Sequence, residues 1–249
     1  MDDTIKKLQS IINESNNIVF FGGAGVSTES GIKDFRGKNG LYKSLYKGYP
    51  PEYLLSKDCL EENTEMFYDY YREYLNNESV EPNITHYFLT KLEESGKLKA
   101  IVTQNIDGLH EKSGSKNVLN IHGTVLKNYC NKCFKEYPSD YIFKSSGIPK
   151  CECGGLIRPD VVLYGEMLNE SFEEAIKYIQ KCDTLIVAGT SLNVYPAASL
   201  VRYFNGKHLV IINDMVTPYD NNADLVIHSS LGEIFSKIKI WSIEFIVEI

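Results

Sequence analysis

The stretch FFGGAGVSTESGIKDFRG, residues 20–37, runs from a hydrophobic strand into clustered glycines. Gly22, Gly23 and Gly25 let backbone approach a phosphate, and a helix N-terminus after them supplies N–H groups. Ala24 lies within this loop, Ser27 and Thr28 add hydroxyl donors, and Arg36 adds a cation. The spacing departs from G-x-G-x-x-G, because Thr28 stands where the third glycine belongs. A tight strand-to-helix turn would use the same glycines. In VTQNIDGLH (102–110), Gln104, Asn105, Asp107 and His110 gather at the carboxyl end of an apolar run, where open α/β sheets bind ligands. A capped loop is the plainer reading, since Asp and Asn are frequent turn formers. His122 stands in IHGT, and taken alone it reads as a satisfied core or loop histidine. Thr190, Ser191 and Asn193 in GTSLNVYPAAS, and Asn213 with Asp214 in IIND, end two further apolar runs. Polar residues at strand ends are the expected rim of a nucleotide crevice.

The cysteines carry a separate chemistry. Cys130 and Cys133 (CNKC) are followed after 17 residues by Cys151 and Cys153 (CEC). Two close pairs separated by a hairpin-length stretch suit one tetrahedral zinc ion, and four thiolates leave no open position, so such a site is structural. Cys59 and Cys182 stand apart and read as buried thiols.

These residues need a scaffold. Apolar runs at 17–21, 98–105, 183–191 and 208–213, with a fifth at 223–230, are continuous, as strands covered on both faces should be. Helical patterns at 83–95, 169–181 and 196–205 alternate with them, which predicts an α/β, doubly wound parallel sheet. Two segments break the rhythm: the tyrosine-rich stretch 38–80 and the cysteine-bearing stretch 124–158. The expected organisation is a Rossmann-like domain from 1–37, 81–123 and 159–249, with a helical module (38–80) and a zinc-binding module (124–158) forming a small domain.

At 249 residues the chain can bury a substantial core. Its net charge of −7 argues against a nucleic-acid backbone as partner and is compatible with a basic protein segment. The N-terminal residues read as an amphipathic helix through Ile5, Leu8, Ile11 and Ile12, and no apolar run approaches membrane-span length, so a cytoplasmic location is expected. In that compartment disulfides are disfavoured, which strengthens the zinc reading. Hydride-transfer enzymes normally show G-x-G-x-x-G and an acidic residue about 20 positions on, and both cues are missing or displaced.

Taken in order, GAGVSTESGIKDFRG, TQNIDGLH, IHGT, the CxxC…CxC pair, RPDVVLYGE, GTSLNVYPAA and IIND closely resemble the sirtuin family over nearly the whole chain. The resemblance implies an NAD-dependent protein-lysine deacetylase, in which NAD is a consumed co-substrate and one zinc is structural. By similarity, the acyl carbonyl oxygen attacks C1′ of the nicotinamide ribose and nicotinamide leaves. His122 then acts as general base on the ribose hydroxyls, and the products are free lysine and O-acetyl-ADP-ribose. Asn105 and Asp107 order water and hold nicotinamide, with Phe35 and Ile106 lining that pocket. Gly22, Ala24, Gly25, Ser27, Thr28, Arg36 and Gln104 hold phosphates and ribose, and Gly189, Thr190, Ser191, Asn213 and Asp214 the adenosine half. The substrate strand lies between Gly165–Glu166 and Asn193–Val194–Tyr195, gaining affinity from main-chain hydrogen bonds. Val162 and Tyr164 line the acyl-lysine tunnel. Acetyl-lysine proteins or peptides are the implied partners, with no nucleic acid or membrane, and a monomer is expected.

Two positions depart from the family pattern: Lys33 replaces a usual Pro, and Tyr164 a usual Phe. Members that prefer acidic acyl groups read the carboxylate with a Tyr and an Arg three residues later. Here Tyr68 matches the Tyr, but Tyr71 occupies the Arg position and Arg72 is one residue on. The resemblance therefore implies a preference for neutral acyl groups. The C-terminal IKIWSIEFIVEI (238–249) fits either a closing helix or an edge strand.

Overall fold

The computed structural model of the chain describes residues 3–34, 40 and 44–240. Helix α1 (Asp3–Glu14) buries Ile5, Leu8, Ile11 and Ile12 at helical spacing, as expected. Strand β1 (Ile18–Gly22) follows and is buried along its length. Its side chains divide by parity: Ile18 and Phe20 enter the core on one face of the sheet, Val19 and Phe21 the core on the other. Helices α2 (Pro51–Leu54), α3 (Lys57–Glu62) and α4 (Thr64–Tyr74) occupy the tyrosine-rich segment. The strand–helix rhythm then resumes with α5 (Ile84–Glu94), β2 (Leu98–Thr103), α6 (Leu109–Lys112) and β3 (Val118–Asn120). Strands β4 (Gly123–Cys130) and β5 (Glu136–Pro138), helix α7 (Asp140–Phe143) and strand β6 (Ile157–Val161) carry the cysteine-bearing segment. Helix α8 (Glu170–Lys181), strands β7 (Thr184–Ala188), β8 (His208–Ile212) and β9 (Leu225–Ile227), and helix α9 (Leu231–Phe235) complete the described chain.

The large sheet is parallel, in the order β3-β2-β1-β7-β8-β9. The chain winds outward from β1 to β3, crosses back to β7, and winds outward the other way. The reversal lies between β1 and β7, and at such a point the loops leaving the strand ends part and open a crevice. The glycine loop leaves β1 there, and Gly189 leaves β7 beside it. Two details differ from the expected elements. The segment expected as a helix at 196–205 is a 3-10 helix, Ala197–Tyr203. Strand β3, only three residues long, gives no apolar run and is read from its pairing with β2.

The small sheet, β5-β4-β6, is antiparallel. It runs from Gly123 to Val161, so its pairing extends across the expected boundaries at 123/124 and 158/159. One buried cluster joins it to the helices: Leu54, Cys59, Phe67, Tyr68, Tyr70 and Tyr71 pack with Cys130, Ile142, Cys151 and Val161. The helical and cysteine-bearing segments thus share one core, although about fifty residues of sheet and helix separate them in the chain. Among the described residues no helix is long and apolar enough to cross a membrane. The end of the C-terminal segment, from residue 241, lies outside the described residues.

Candidate active site

Gly25 and Gly189 are needed first for each other. A Cβ on Gly25 would lie 2.7 Å from the Gly189 Cα, and Gly189 itself has φ +61°, which favours glycine. The N–H of Gly25 donates to the Gly189 carbonyl at 2.8 Å, and that of Gly23 to Ala188 at 3.3 Å. The glycines therefore weld the β1 loop to the β7 loop and fix the floor of the crevice. The hydroxyls on this loop are also committed. Thr28 donates to the Gly25 carbonyl at 3.0 Å, and Ser27 donates to Asp107 Oδ2 at 2.6 Å. Thr28 thus supports its own loop with its proton and keeps only acceptor capacity toward a ligand.

The loop after β2 meets the glycine loop through these bonds. Asn105 Nδ2 donates to Ser27 Oγ at 3.1 Å, and the Leu109 N–H donates to Asp107 Oδ1 at 2.9 Å. Ser27, Asn105 and Asp107 form one continuous network between the ends of β1 and β2. Burial raises the Asp107 pKa, and the bonds from Ser27 and Leu109 oppose that rise. Gln104 reaches the other way: its Nε2 donates to Thr190 Oγ1 at 3.0 Å, tying β2 to the β7 loop. Ile106 packs at the edge of the small module's core, and its carbonyl accepts from Val125 N–H.

His122 is half-buried just before β4. Its Nδ1 lies 3.0 Å from the Gln104 carbonyl oxygen. A carbonyl only accepts, so Nδ1 carries the proton and Nε2 keeps its lone pair. Burial lowers the His122 pKa below the ordinary histidine value, and the Gln104 carbonyl bond opposes this only in part. The imidazole is neutral at neutral pH, oriented, and free to accept a proton at Nε2. Its own carbonyl accepts from the Val162 N–H at 2.9 Å, which sets the start of the 162–166 segment beside the base.

That segment is held rigidly. Glu166 takes a bidentate pair from Arg158 (2.7 and 3.0 Å) and a third bond from the Leu163 N–H at 2.9 Å. The main chain of Tyr164 is bonded to Leu55 and Lys57 of the helical module, and its side chain is half-exposed. Across the gap, Asn193 and Tyr195 are exposed and Val194 is partly so, following Leu192, which is buried at φ +54°. A groove of about 1060 Å³ opens beside Glu166 between Met167, Phe172, Tyr178 and Pro196, along α8 rather than over His122. At the far strand end, Asn213 is buried and its Nδ2 donates to the Met215 carbonyl, while Asp214 is exposed.

Tyr68 and Tyr71 are fully buried in the small module's core. The Tyr68 hydroxyl donates to the Ile157 carbonyl at 2.7 Å, and Tyr71 stacks between Phe67 and Phe143 with no partner for its hydroxyl among the described residues. Arg72 donates to the carbonyls of Ile142 and Gly147 and to Ser145 Oγ, so its charge caps α7. Phe35 and Arg36 lie outside the described residues; Lys33 is exposed, and nothing in the structure explains its departure from Pro. Arg158 and Asn83 were not expected at the site. Asn83 caps α5 and donates from Nδ2 to the Val26 carbonyl (2.8 Å) and Ser30 Oγ (3.0 Å), holding the glycine loop from behind. Their only sequence signals are an arginine in the segment IRPDV and an Asn before a helical pattern.

The Sγ atoms of Cys130, Cys133, Cys151 and Cys153 all lie within 4.8 Å of one another, with Cys130–Cys153 at 3.5 Å and Cys133–Cys151 at 3.6 Å. A tetrahedron of thiolates on zinc has edges of roughly 3.8 Å, given Zn–S bonds of about 2.3 Å. The donor set fits one zinc with no open position. It sits on the small sheet, where Cys130 and Cys151 also belong to the buried core.

Comparison with known proteins agrees with this geometry. The Sir2 family model matches residues 23–196. The NAD-dependent protein deacetylase of Clostridium acetobutylicum is 54% identical over 240 residues, covering 95% of this chain and 98% of the relative. That of Clostridium perfringens is 54% identical over 242 residues, covering 96% and 99%. A Sir2 structure with a p53 peptide and NAD+ superposes with TM-score 0.82 at 39% identity, covering 94% of this chain and 96% of that one. Another, of Sir2Tm bound to a propionylated peptide, gives 0.83 at 37% identity, covering 95% and 97%. With crevice, base, thiolate cluster and full-length likeness all in agreement, the chain belongs to the Sir2 family.

Proposed function

We propose that this chain is an NAD-dependent protein-lysine deacetylase that converts acetyl-lysine, NAD and water to lysine, nicotinamide and O-acetyl-ADP-ribose. The observation that carries the reading is His122: a neutral imidazole with Nδ1 spent on Gln104 and Nε2 left as a base, at the meeting of the crevice and the 162–166 segment. Relatives named as NAD-dependent protein deacetylases at 54% identity, and Sir2 structures with peptide and NAD+, support it.

Bound NAD supplies the ribose carbon from which nicotinamide departs and the hydroxyls that take up the acyl group. The protein's part is orientation and proton transfer. The glycine loop, with Ala24 and Gly25 against Gly189, lets the phosphates lie close to backbone at the switch point. Gly22, Ser27, Thr28 and Gln104 frame the ribose side, with Arg36 assigned there and Phe35 assigned to the nicotinamide pocket by family likeness; Thr190, Ser191, Asn213 and Asp214 frame the adenosine side. Asn105 and Asp107, cross-linked through Ser27, form a rigid polar wall around nicotinamide, with Ile106 as its apolar side. His122 Nε2 accepts the proton from a ribose hydroxyl as that oxygen attacks the acyl carbon. The substrate backbone adds as a strand between Gly165–Glu166 and Asn193–Val194, and the acyl-lysine stem passes Val162 and Tyr164.

The division into a Rossmann-like domain and a small domain built from both insertions belongs to this reading, supported by the core they share. A preference for neutral acyl groups is supported by Arg72, whose guanidinium is committed to α7, and by Tyr71, which is neutral and buried. The substrate is read as a protein or peptide, with the chain acting as a monomer in the cytoplasm. The test is product analysis with an acetyl-lysine peptide and NAD, for the wild type and His122→Ala.

A further inference from the structure

Glu29 lies in the glycine-loop segment, and its side chain reaches helix α9. Its carboxylate Oε1 accepts from the N–H of Gly232 at 3.0 Å, across 203 residues of chain. Gly232 is in the first turn of α9, where backbone N–H groups have no helical partner and favour an anion. The other end of the contact is equally well placed. Glu29 belongs to the 3-10 turn Thr28–Ser30, immediately before Gly31 at φ +90°, at the end of the glycine-loop segment.

The anchor is rigid for identifiable reasons. Phe235 of α9 stacks on Phe88 of α5, with ring centroids 4.4 Å apart. Beyond α9 the chain is strapped to α1, because the Gln9 amide donates to the Lys239 carbonyl (2.8 Å) and accepts from its N–H (2.7 Å). Helix α5, through its cap Asn83, holds Val26 and Ser30 on either side of Glu29. Two packed helices thus grip one short turn of the loop from behind.

We infer that Glu29 is a positioning residue: its carboxylate, seated on the Gly232 N–H, fixes the Thr28–Ser30 turn of the glycine loop and so sets affinity for NAD without touching it. This rests on the deacetylase reading above. Free of the clamp, the turn samples more conformations, and the ordering cost moves into NAD binding. Peptide affinity and the chemical step, which depend on His122 and the 162–166 segment, are left alone.

The test uses the intact zinc-loaded protein. NAD affinity is measured by calorimetry, which needs no turnover, alongside KM for NAD, KM for peptide and kcat. Glu29→Ala should weaken NAD binding and raise KM for NAD roughly three- to tenfold, as for one lost hydrogen bond, with kcat and peptide KM unchanged. Glu29→Gln, which keeps an acceptor oxygen, should restore most of the affinity. Gly232→Ala gives an independent arm. A Cβ there would sit 2.2 Å from Glu29 Oε2 and 3.0 Å from the Cγ2 methyl of Ile84, whose side chain is half-exposed. It should displace the carboxylate while improving helix propensity. Gly232→Ala should therefore mimic Glu29→Ala in the wild type and add nothing in the Glu29→Ala background. Unchanged NAD affinity in Glu29→Ala, or additive effects of the two changes, overturns the clamp alone. A wild type that neither binds NAD nor deacetylates overturns the functional reading, and the clamp with it.

Discussion

Two tyrosines three residues apart on α4 should respond to the same substitution with opposite sign. Both rings are fully buried, and burial pushes both phenols above the ordinary tyrosine range, so both are neutral donors. The Tyr68 hydroxyl donates to the Ile157 carbonyl at 2.7 Å, whereas the Tyr71 hydroxyl has no partner among the described residues. An unsatisfied buried hydroxyl carries a desolvation penalty of about 1–3 kcal/mol. Tyr71→Phe removes that penalty and leaves only a hydroxyl-sized gap between Phe67 and Phe143, for a net gain of about 1–2 kcal/mol. Tyr68→Phe removes a made hydrogen bond and costs about 1–2 kcal/mol. In a chain of this size each kcal/mol moves Tm by roughly 2–4 °C. Thermal unfolding at fixed zinc concentration should show Tyr71→Phe above the wild type and Tyr68→Phe below it. Tyr71→Phe melting below the wild type would refute the reasoning, because it would mean the hydroxyl is satisfied in solution. The same geometry means that Tyr71→Arg buries an unpaired guanidinium and loses soluble folded protein rather than gaining desuccinylation.

Two other predictions concern pH and metal. His86 is buried, with its pKa lowered by burial to about 4, and neighbouring His110 is also held well below the ordinary value, by burial first and His86 second. Both are neutral in the fold and charge near pH 6.5 when unfolded, so the unfolded state binds more protons and stability falls as pH drops below about 6.5. For His86 alone the loss is about 1.4 kcal/mol at pH 5.5, and urea midpoints at pH 7.5 and 5.5 should show at least that fall. Removing zinc with a chelator should unfold the small module, because Cys130 and Cys151 belong to its core, and abolish turnover together with the α4 packing. Activity surviving complete zinc removal would contradict a structural role.

How much of this was legible in the sequence depends on how local each signal is. The runs NIVFF, LKAIVT, TLIVA and HLVII read as buried strands because each side chain meets a core on one face or the other. The thiolate site was legible because the paired cysteines sit on two knuckles of one small sheet. His122 was ambiguous alone, since its meaning depends on a carbonyl 18 residues away. Strand β3 escaped notice because three residues make no pattern. Arg158, Asn83 and the clamp at Glu29 depend on partners up to 203 residues distant, which no periodicity encodes. The glycine cluster reads as a phosphate loop, and Gly25 in it also meets Gly189 of the β7 loop, a packing need the sequence does not announce. Tyr68 and Tyr71 matched acyl-reading positions by spacing, while the shared core of the two insertions turned them inward.

The central claim is that His122 Nε2 is the base of an NAD-consuming deacetylation. It is tested most directly by mass spectrometry of the products from an acetyl-lysine peptide and NAD, for wild type and His122→Ala. The wild type should yield deacetylated peptide, nicotinamide and O-acetyl-ADP-ribose in equal amounts. His122→Ala should keep NAD binding but lose about 10²–10⁴-fold in O-acetyl-ADP-ribose formation. ADP-ribose left on the peptide by the wild type, or undiminished turnover by His122→Ala, would contradict it.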